Sequence, residues 1–335
     1  MREQDPAYKI YQRYRYAYDT YGYLFLSENT GEDSQGRRDG EQSFQEGKGS
    51  LEQEEALQEG EEKKDGFQEE SVWPKEGEEA AQITLAQLQD YDFLMKHFYS
   101  VHASTTAGRD LMKADMLLGT GMKLEQNPQV PQILIYHTHS QETYADYGPE
   151  NPEATIVSCG EYLAELLRDR GWNVIHDTGT YDIQGGKLDR NRAYNYALDG
   201  ITGILQENPE IQVILDLHRD GVKEGTRLVS QVNGKETAKI MFFHGMSRTP
   251  EGEIAYLPNP YLKENLAFAF QMQFAAEGLY PGYTRKIYLK GLRYNLHLRG
   301  RSALIEVGAQ TNTLQEAMNA MEPLAELLDR VLQGN

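Results

Sequence analysis

From residue 83 onward, short unbroken apolar runs alternate with longer stretches whose apolar positions recur every three or four residues, the order of strands and helices in a βαβ chain. Ile83 to Tyr99, with Leu85, Leu88, Tyr91, Phe93 and Leu94 near helical spacing, predicts an amphipathic lead-in helix. A strand is expected at 132–137, a helix from about 154 to 170 closed by Gly171, and a strand from Trp172 to His176. A second helix, roughly Asp189 to Gln206, leads to a strand from Val213 to Leu217. Arg227 to Val232 and Lys239 to Phe243 read as a hairpin turning at Asn233-Gly234. A long helix, about Pro260 to Glu277, precedes Tyr288 and the strand Ala303 to Glu306. The last helix runs from about Leu314 to Leu332, with Thr311 or Thr313 as N-cap and Glu316 able to complete a capping box. These elements predict an α/β fold with a mixed, mainly parallel sheet flanked by helices.

Before residue 83 this periodicity fails. Residues 28–80 hold 18 Asp and Glu against 6 Lys and Arg, which is −12 of the net −19 carried by the 335 residues. So acidic a stretch, rich in Glu, Gln, Gly and Ser, buries too little apolar surface to offset the entropy of ordering and predicts a disordered, self-repelling linker over 28–82. Residues 1–27 form a Tyr-rich N-terminal segment, 83–130 a helical lead-in, and 131–335 the catalytic domain. The acidic balance excludes nucleic acid as the expected partner, since phosphate binding draws on a surplus of Lys and Arg. The lone Cys159 excludes an intramolecular disulfide and is expected as a packing residue near a helix start. No run of about 18 apolar residues occurs, so no spanning helix or secretory signal is expected, and a membrane anchor is absent from the sequence.

The candidate chemistry lies at strand ends, where a sheet fixes the backbone and the following loop exposes side chains. Ile133-Leu134-Ile135-Tyr136 delivers His137, His139 and Glu142, and Val213 to Leu217 delivers His218, with Asp216 before it and Arg219-Asp220 after it. Two His and one Glu make a catalytic zinc set, and His139-x-x-Glu142 with His218 supplies it while leaving a fourth position for water. Glu306, ending a third strand, is then the general acid/base, and the reaction class is hydrolysis of an amide. This placement requires the three strands to run parallel. Alternation puts His137 and His139 on one side and cannot choose between them; His139 is favoured for its compact unit with Glu142, leaving His137 for substrate or another ligand. Asp216 is expected to orient a ligand imidazole or to make a buried hydrogen bond. Arg219, Arg293, Arg299 and Arg301 are candidate partners for a substrate carboxylate. His244 and His297 are minor metal candidates, and His97 and His102 are expected to be structural. No P-loop, Gly-x-Ser-x-Gly elbow or Gly-x-Gly-x-x-Gly after a strand competes.

Pro131 to Glu142, Leu215-Asp216-Leu217-His218-Arg219-Asp220 and Ala303 to Gly308, with Phe93-Leu94 to Val101 upstream, resemble the stage II sporulation protein P family of peptidoglycan hydrolases. The resemblance implies a phosphorylase/hydrolase-like fold of the zinc amidase type. By that likeness His139 and His218 are zinc ligands, Glu306 is the catalytic glutamate, and Glu142 or Glu161 is the carboxylate ligand. It further implies cleavage of the muramoyl-L-alanine bond and of peptide cross-links, an extracytoplasmic place between mother-cell and forespore membranes during engulfment, and a partner resembling stage II sporulation protein D, a lytic transglycosylase. A zinc carboxypeptidase-like peptidase and a non-catalytic wall-binding module are the alternatives.

Overall fold

The computed structural model describes residues 83–334, so the expectations for 1–27 and 28–82 lie outside the described residues. The lead-in is two helices rather than one, α1 (Leu85–Gln89) and α2 (Tyr91–Phe98), because Asp90 leaves helical geometry and its carboxylate caps the Phe93 N–H. That local hydrogen bond offers the backbone an alternative to a continuous helix. The chain continues through β1 (Tyr99–Val101), α3 (Ala114–Gly119), β2 (Ile133–Tyr136), α4 (Ile156–Asp169), β3 (Val174–His176) and a small hairpin, β4 (Ile183–Gln184) and β5 (Lys187–Leu188). Next come α5 (Arg190–Glu207), β6 (Val213–Asp220), β7 (Val229–Val232), β8 (Lys235–Ala238) and β9 (Ile240–Gly245). The last elements are β10 (Arg248–Thr249), β11 (Gly252–Glu253), α6 (Leu262–Leu279), β12 (Ile287–Lys290), β13 (Ser302–Ala309) and α7 (Leu314–Gln333). Thr313, not Thr311, caps α7, and Glu316 closes the box onto it.

Seven strands form the central sheet in the order β1-β12-β9-β13-β6-β2-β3. β2, β3, β6 and β13 are mutually parallel, as are β1, β12 and β9, and one antiparallel seam joins β9 to β13. The sheet is therefore mixed and mainly parallel, with helices packed against it, and the carboxyl ends of β2, β6 and β13 share one edge. The expected hairpin has a different second strand. Asn233 (φ 52°) and Gly234 (φ 75°) make the turn, but β7 pairs with β8, and Ile240–Gly245 leaves to join the central sheet. Two consecutive positive φ values are the signature of a two-residue loop, which fixes the partner strand as the residues immediately following.

Strand alternation sorts the sheet's two faces. Ile133, Ile135, Val213, Leu215, Leu217, Ile305 and Val307 join one buried cluster with Leu163 and Leu167 of α4, Phe268 and Phe270 of α6, and Leu324 and Leu328 of α7. Residues of the other parity, Tyr136, Asp216, His218 and Glu306, fall on the opposite face, where Tyr194 of α5 lies almost parallel to the His218 ring, 6.3 Å centroid to centroid. Leu134, Ile214 and Leu304 are buried on that face too, with Ala197, Leu198 and Ile201 of α5 also buried, and the polar residues collect at its strand ends.

Candidate active site

Cross-strand register sets the centre. Glu306 on β13 lies directly beside His218 on β6, and Tyr136 beside Asp216. Asp216 is buried, accepts the Thr138 N–H at 2.9 Å and the Thr138 O–H at 2.6 Å, and lies 2.9 Å from His218 Nε2, off the line of a hydrogen bond. Burial pushes the Asp216 carboxyl up, but His218 and the bonds from Thr138 outweigh it and hold the group below its usual range. His218 Nδ1 is 3.7 Å from Glu142 Oε2, and the same oxygen accepts the Arg219 N–H at 2.8 Å. Burial drives the Glu142 carboxyl upward against the opposing pull of His218 and Arg219.

His218 therefore sits among Asp216, Glu142 and Glu306. Burial lowers its pKa, yet these carboxylates raise it to about 10, which favours the protonated ring in the metal-free centre. Glu306 is pushed to about 8, first by burial and then by Asp220, and its Oε2 is enclosed without a hydrogen-bond partner. His139 lies with its ring 5.2 Å from that of His218 and 5.6 Å from Tyr194; its Nδ1 is also enclosed and unpartnered, and burial lowers its pKa to about 3. A neutral imidazole, three carboxyl groups and the His218 ring are thus enclosed together, and the burial that raises Glu142 and Glu306 shows that the centre holds negative charge only at a cost.

Among the described residues, no group of three His, Cys, Asp or Glu side chains is arranged to grip an ion. The donor types nevertheless fit zinc: His139 presents an unpartnered nitrogen, and the cationic place beside Asp216 and Glu142 is filled by a proton on His218 that metal binding would release.

His137 goes elsewhere. β2 ends at Tyr136, so the alternation that would have kept His137 and His139 together stops between them. His137 Nδ1 is 3.1 Å from the Leu217 carbonyl oxygen and its Nε2 is 2.9 Å from His176 Nε2, while His176 Nδ1 is 2.7 Å from Glu161 Oε2. These three contacts ask for three protons, one more than two neutral rings carry. Gly160 of α4 makes room, since a Cβ there would stand 2.5 Å from His137 Nε2 and 2.6 Å from His176 Nε2. Glu161 is half exposed, binds Arg168 at 3.1 Å, and belongs to this second cluster rather than to the centre.

Other expected residues lie apart from the centre or are engaged nearby. Arg219 spends its guanidinium on the Thr143 and Asp220 carbonyls, and Asp220 pairs with Arg285 at 2.5 Å. Arg301, just before β13 begins, is at the opposite edge of the sheet, bonded to the Met122 and Gly121 carbonyls, because a parallel strand carries its two ends to opposite edges. Arg299 and Arg293 likewise bond the Ile211 and Pro258 carbonyls. His244 follows Phe243, whose antiparallel register with Leu304 points β9 away from this edge. His176, Tyr194 and Asp182 escaped the sequence reading; Asp182 accepts the Ser140 O–H and the Gln141 N–H and so pins the His139 loop. Only His176 carried a signal, as another histidine ending an apolar run.

The family model described as Stage II sporulation protein P (SpoIIP) matches residues 19–329. Stage II sporulation protein P of Bacillus subtilis (strain 168) is 25% identical over 217 residues, 59% of this chain and 50% of that protein, so the chain spans about half the length of the curated relative. Among solved structures, the CwlD amidase from Clostridioides difficile in complex with the GerS lipoprotein aligns with TM-score 0.40 and 14% identity over 61% of this chain and 97% of that chain. The N-acetylmuramoyl-L-alanine amidase AmiC2 of Nostoc punctiforme aligns with TM-score 0.36 and 13% identity over 63% and 98%. At these scores the structural likeness carries no argument about chemistry, and the fold stands on the strand pairings above.

Proposed function

Because a chain matched over residues 19–329 belongs to the stage II sporulation protein P family, we propose that it is a zinc-dependent peptidoglycan hydrolase cleaving the muramoyl-L-alanine amide bond during sporulation. The observation that supports this reading most is the convergence of His139, Glu142, His218 and Glu306 at one edge of a parallel sheet, with enclosed and unpartnered atoms on His139 and Glu306. His139, Glu142 and His218 would hold the ion, which when bound supplies Lewis acidity toward water and the amide carbonyl.

The chain's own residues do the rest. Asp216, fixed by two bonds from Thr138, orients the His218 ring, and the Arg219 N–H fixes one oxygen of Glu142. Glu306 takes a proton from the attacking water at Oε2 and returns it to the departing amine, a task suited to a carboxyl whose burial brings its pKa near neutrality. Tyr194 lies over the two imidazoles and limits their contact with bulk water. Cleavage of peptide cross-links, an extracytoplasmic site of action during engulfment, and cooperation with a stage II sporulation protein D-like lytic transglycosylase complete the proposal. Among the described residues no helix is long and apolar enough to cross a membrane.

The test is digestion of purified peptidoglycan with and without a chelator, with fragments identified by mass spectrometry. Chelator-sensitive release of stem peptides beginning with an unblocked alanine is expected. Trimming of C-terminal residues alone would replace the amidase with a carboxypeptidase, and no release under any condition would replace it with a wall-binding module.

A further inference from the structure

Of the three arginines nearest the centre, Arg190, Arg219 and Arg285, Arg190 has no hydrogen-bond or ion-pair partner among the described residues. Arg219 is committed to two backbone carbonyls and Arg285 to Asp220. The arginines offered by the sequence, Arg299 and Arg301, are bonded to carbonyls at the far edge of the sheet. Arg190 has no carboxylate within 4.0 Å among the described residues, and its Nε is enclosed without an acceptor. A guanidinium half-withdrawn from water gives up hydration there and recovers no hydrogen bond from the protein.

The fold aims this group at the centre by two routes. Arg190 is the first residue of α5 and stands one turn before Tyr194, so the two side chains share a helix face, and that face lies over His139 and His218. The start of α5 is also tied to the loop carrying His139 and Glu142. Asp189 donates its N–H to the Asp182 carbonyl at 2.8 Å across the β4–β5 hairpin, and the Asp182 carboxylate holds Ser140 at 3.0 Å and Gln141 at 3.1 Å. The helix itself gives this cation nothing, because its amino end is the positive pole of the dipole.

We infer that Arg190 is a substrate-binding residue that receives a carboxylate of the peptide being cleaved, placing the neighbouring amide over His139 and His218. The inference rests on the hydrolase reading for the identity of the substrate, a peptide carrying free carboxyl groups close to the scissile bond. A guanidinium fork suits a carboxylate and not a carboxamide, since the carboxamide offers one acceptor oxygen where the carboxylate offers two, turns an N–H donor toward the fork, and carries no charge. Discrimination between the two is therefore the property this residue would confer.

The experiment uses the full zinc-loaded chain and two soluble muramoyl peptides, one with every stem-peptide carboxyl free and one with each converted to carboxamide. For the unaltered chain, amidation is expected to raise KM about tenfold or more with kcat little changed. Arg190→Met should raise KM for the free-carboxylate peptide by a similar factor and leave the carboxamide peptide almost unaffected, while Arg190→Lys falls between. Equal losses on both peptides in Arg190→Met, or no discrimination by the unaltered chain, would overturn the assignment. Calorimetric binding of the same two peptides to Glu306→Gln separates this claim from the hydrolase reading. Arg190-dependent preference for the carboxylate form without turnover in the unaltered chain would remove the amidase and keep the subsite; no such preference in binding removes the subsite whatever the turnover.

Discussion

Gly160→Ala puts the second histidine cluster to a test in which two effects of opposite sign compete. In a helix interior, Gly to Ala gains about 1 kcal/mol from backbone propensity. At Gly160 the new methyl would stand 2.5 Å from His137 Nε2 and 2.6 Å from His176 Nε2, closer than any unstrained contact. Neither ring is the free end of a flexible chain. His137 is buried and held by the Leu217 carbonyl, and the His176 side chain is 1% exposed and held by Glu161. Overpacking costs roughly 1–3 kcal/mol, and separating the two nitrogens leaves buried polar atoms unpaired at roughly 1–3 kcal/mol more. The net expectation is destabilisation by about 1–5 kcal/mol, a fall in Tm of about 2–4 °C per kcal/mol for a domain of this size. Gly203→Ala in α5 is the control, since nothing lies within 4 Å of a Cβ there, and it should stabilise by about 1 kcal/mol or less. Urea unfolding of both variants at one pH reads the two signs. If Gly160→Ala matched the control in sign and size, the histidine pair would not be packed against α4 as described, and the reasoning from that contact would be wrong.

Four further outcomes follow from the centre and the core. His218→Ala should lose zinc and turnover together and cost about 3–5 kcal/mol, because it strands Asp216 and Glu142 as buried acids without their cation; retention of zinc, read by atomic absorption, would exclude His218 as a ligand. Glu306→Gln should keep zinc and abolish peptidoglycan cleavage, and full activity in that variant would remove Glu306 from the mechanism. In the metal-free protein the pKa of Glu306 is raised to about 8, so its contribution is intact below the unfolded value and is lost as pH rises toward and through 8. Glu306→Gln should therefore gain stability over the parent between about pH 5 and 9, by at most about 5 kcal/mol, and a gain that shrinks with rising pH would contradict the burial argument. Cys159, fully buried beside the Tyr144 hydroxyl with its thiol pushed by burial to about 12, should resist a disulfide reagent in the native chain and react at once in denaturant.

What could be read in the sequence was what strands and helices impose locally. The runs ending at Tyr136, at Leu217 and in Glu306 declared three strand ends, and parallel pairing of β2, β6 and β13 then brings His139, His218 and Glu306 to one edge. Features set by a partner across space are not legible in this way. The hairpin strand after Asn233-Gly234 was misplaced because Ile240 to Phe243 is the more apolar run, yet its apolarity belongs to the middle of the central sheet. Arg301 was drawn in by being near Glu306 in sequence, although a few residues of strand carry the chain to the other edge of the sheet.

The separation of His137 from His139 is more instructive, because period-two alternation does not extend past the end of β2. A strand alternates only while its backbone stays extended in the ladder, and β2 leaves the ladder after Tyr136, just where Thr138 turns both its N–H and its hydroxyl onto Asp216. That pair of bonds rotates the chain so that one histidine meets α4, with Gly160 and His176, and the other meets α5, with Tyr194 and Arg190. A sheet whose two faces are covered by different helices can in this way draw two chemically separate clusters from three consecutive residues. Thr138→Val, which removes the hydroxyl half of the anchor while keeping the shape of the side chain, is accordingly expected to disturb His139 and His218 rather than His137. Nuclear magnetic resonance of the histidine rings reads this directly, and a shift confined to His137 and His176 would show that Thr138 does not divide the two clusters.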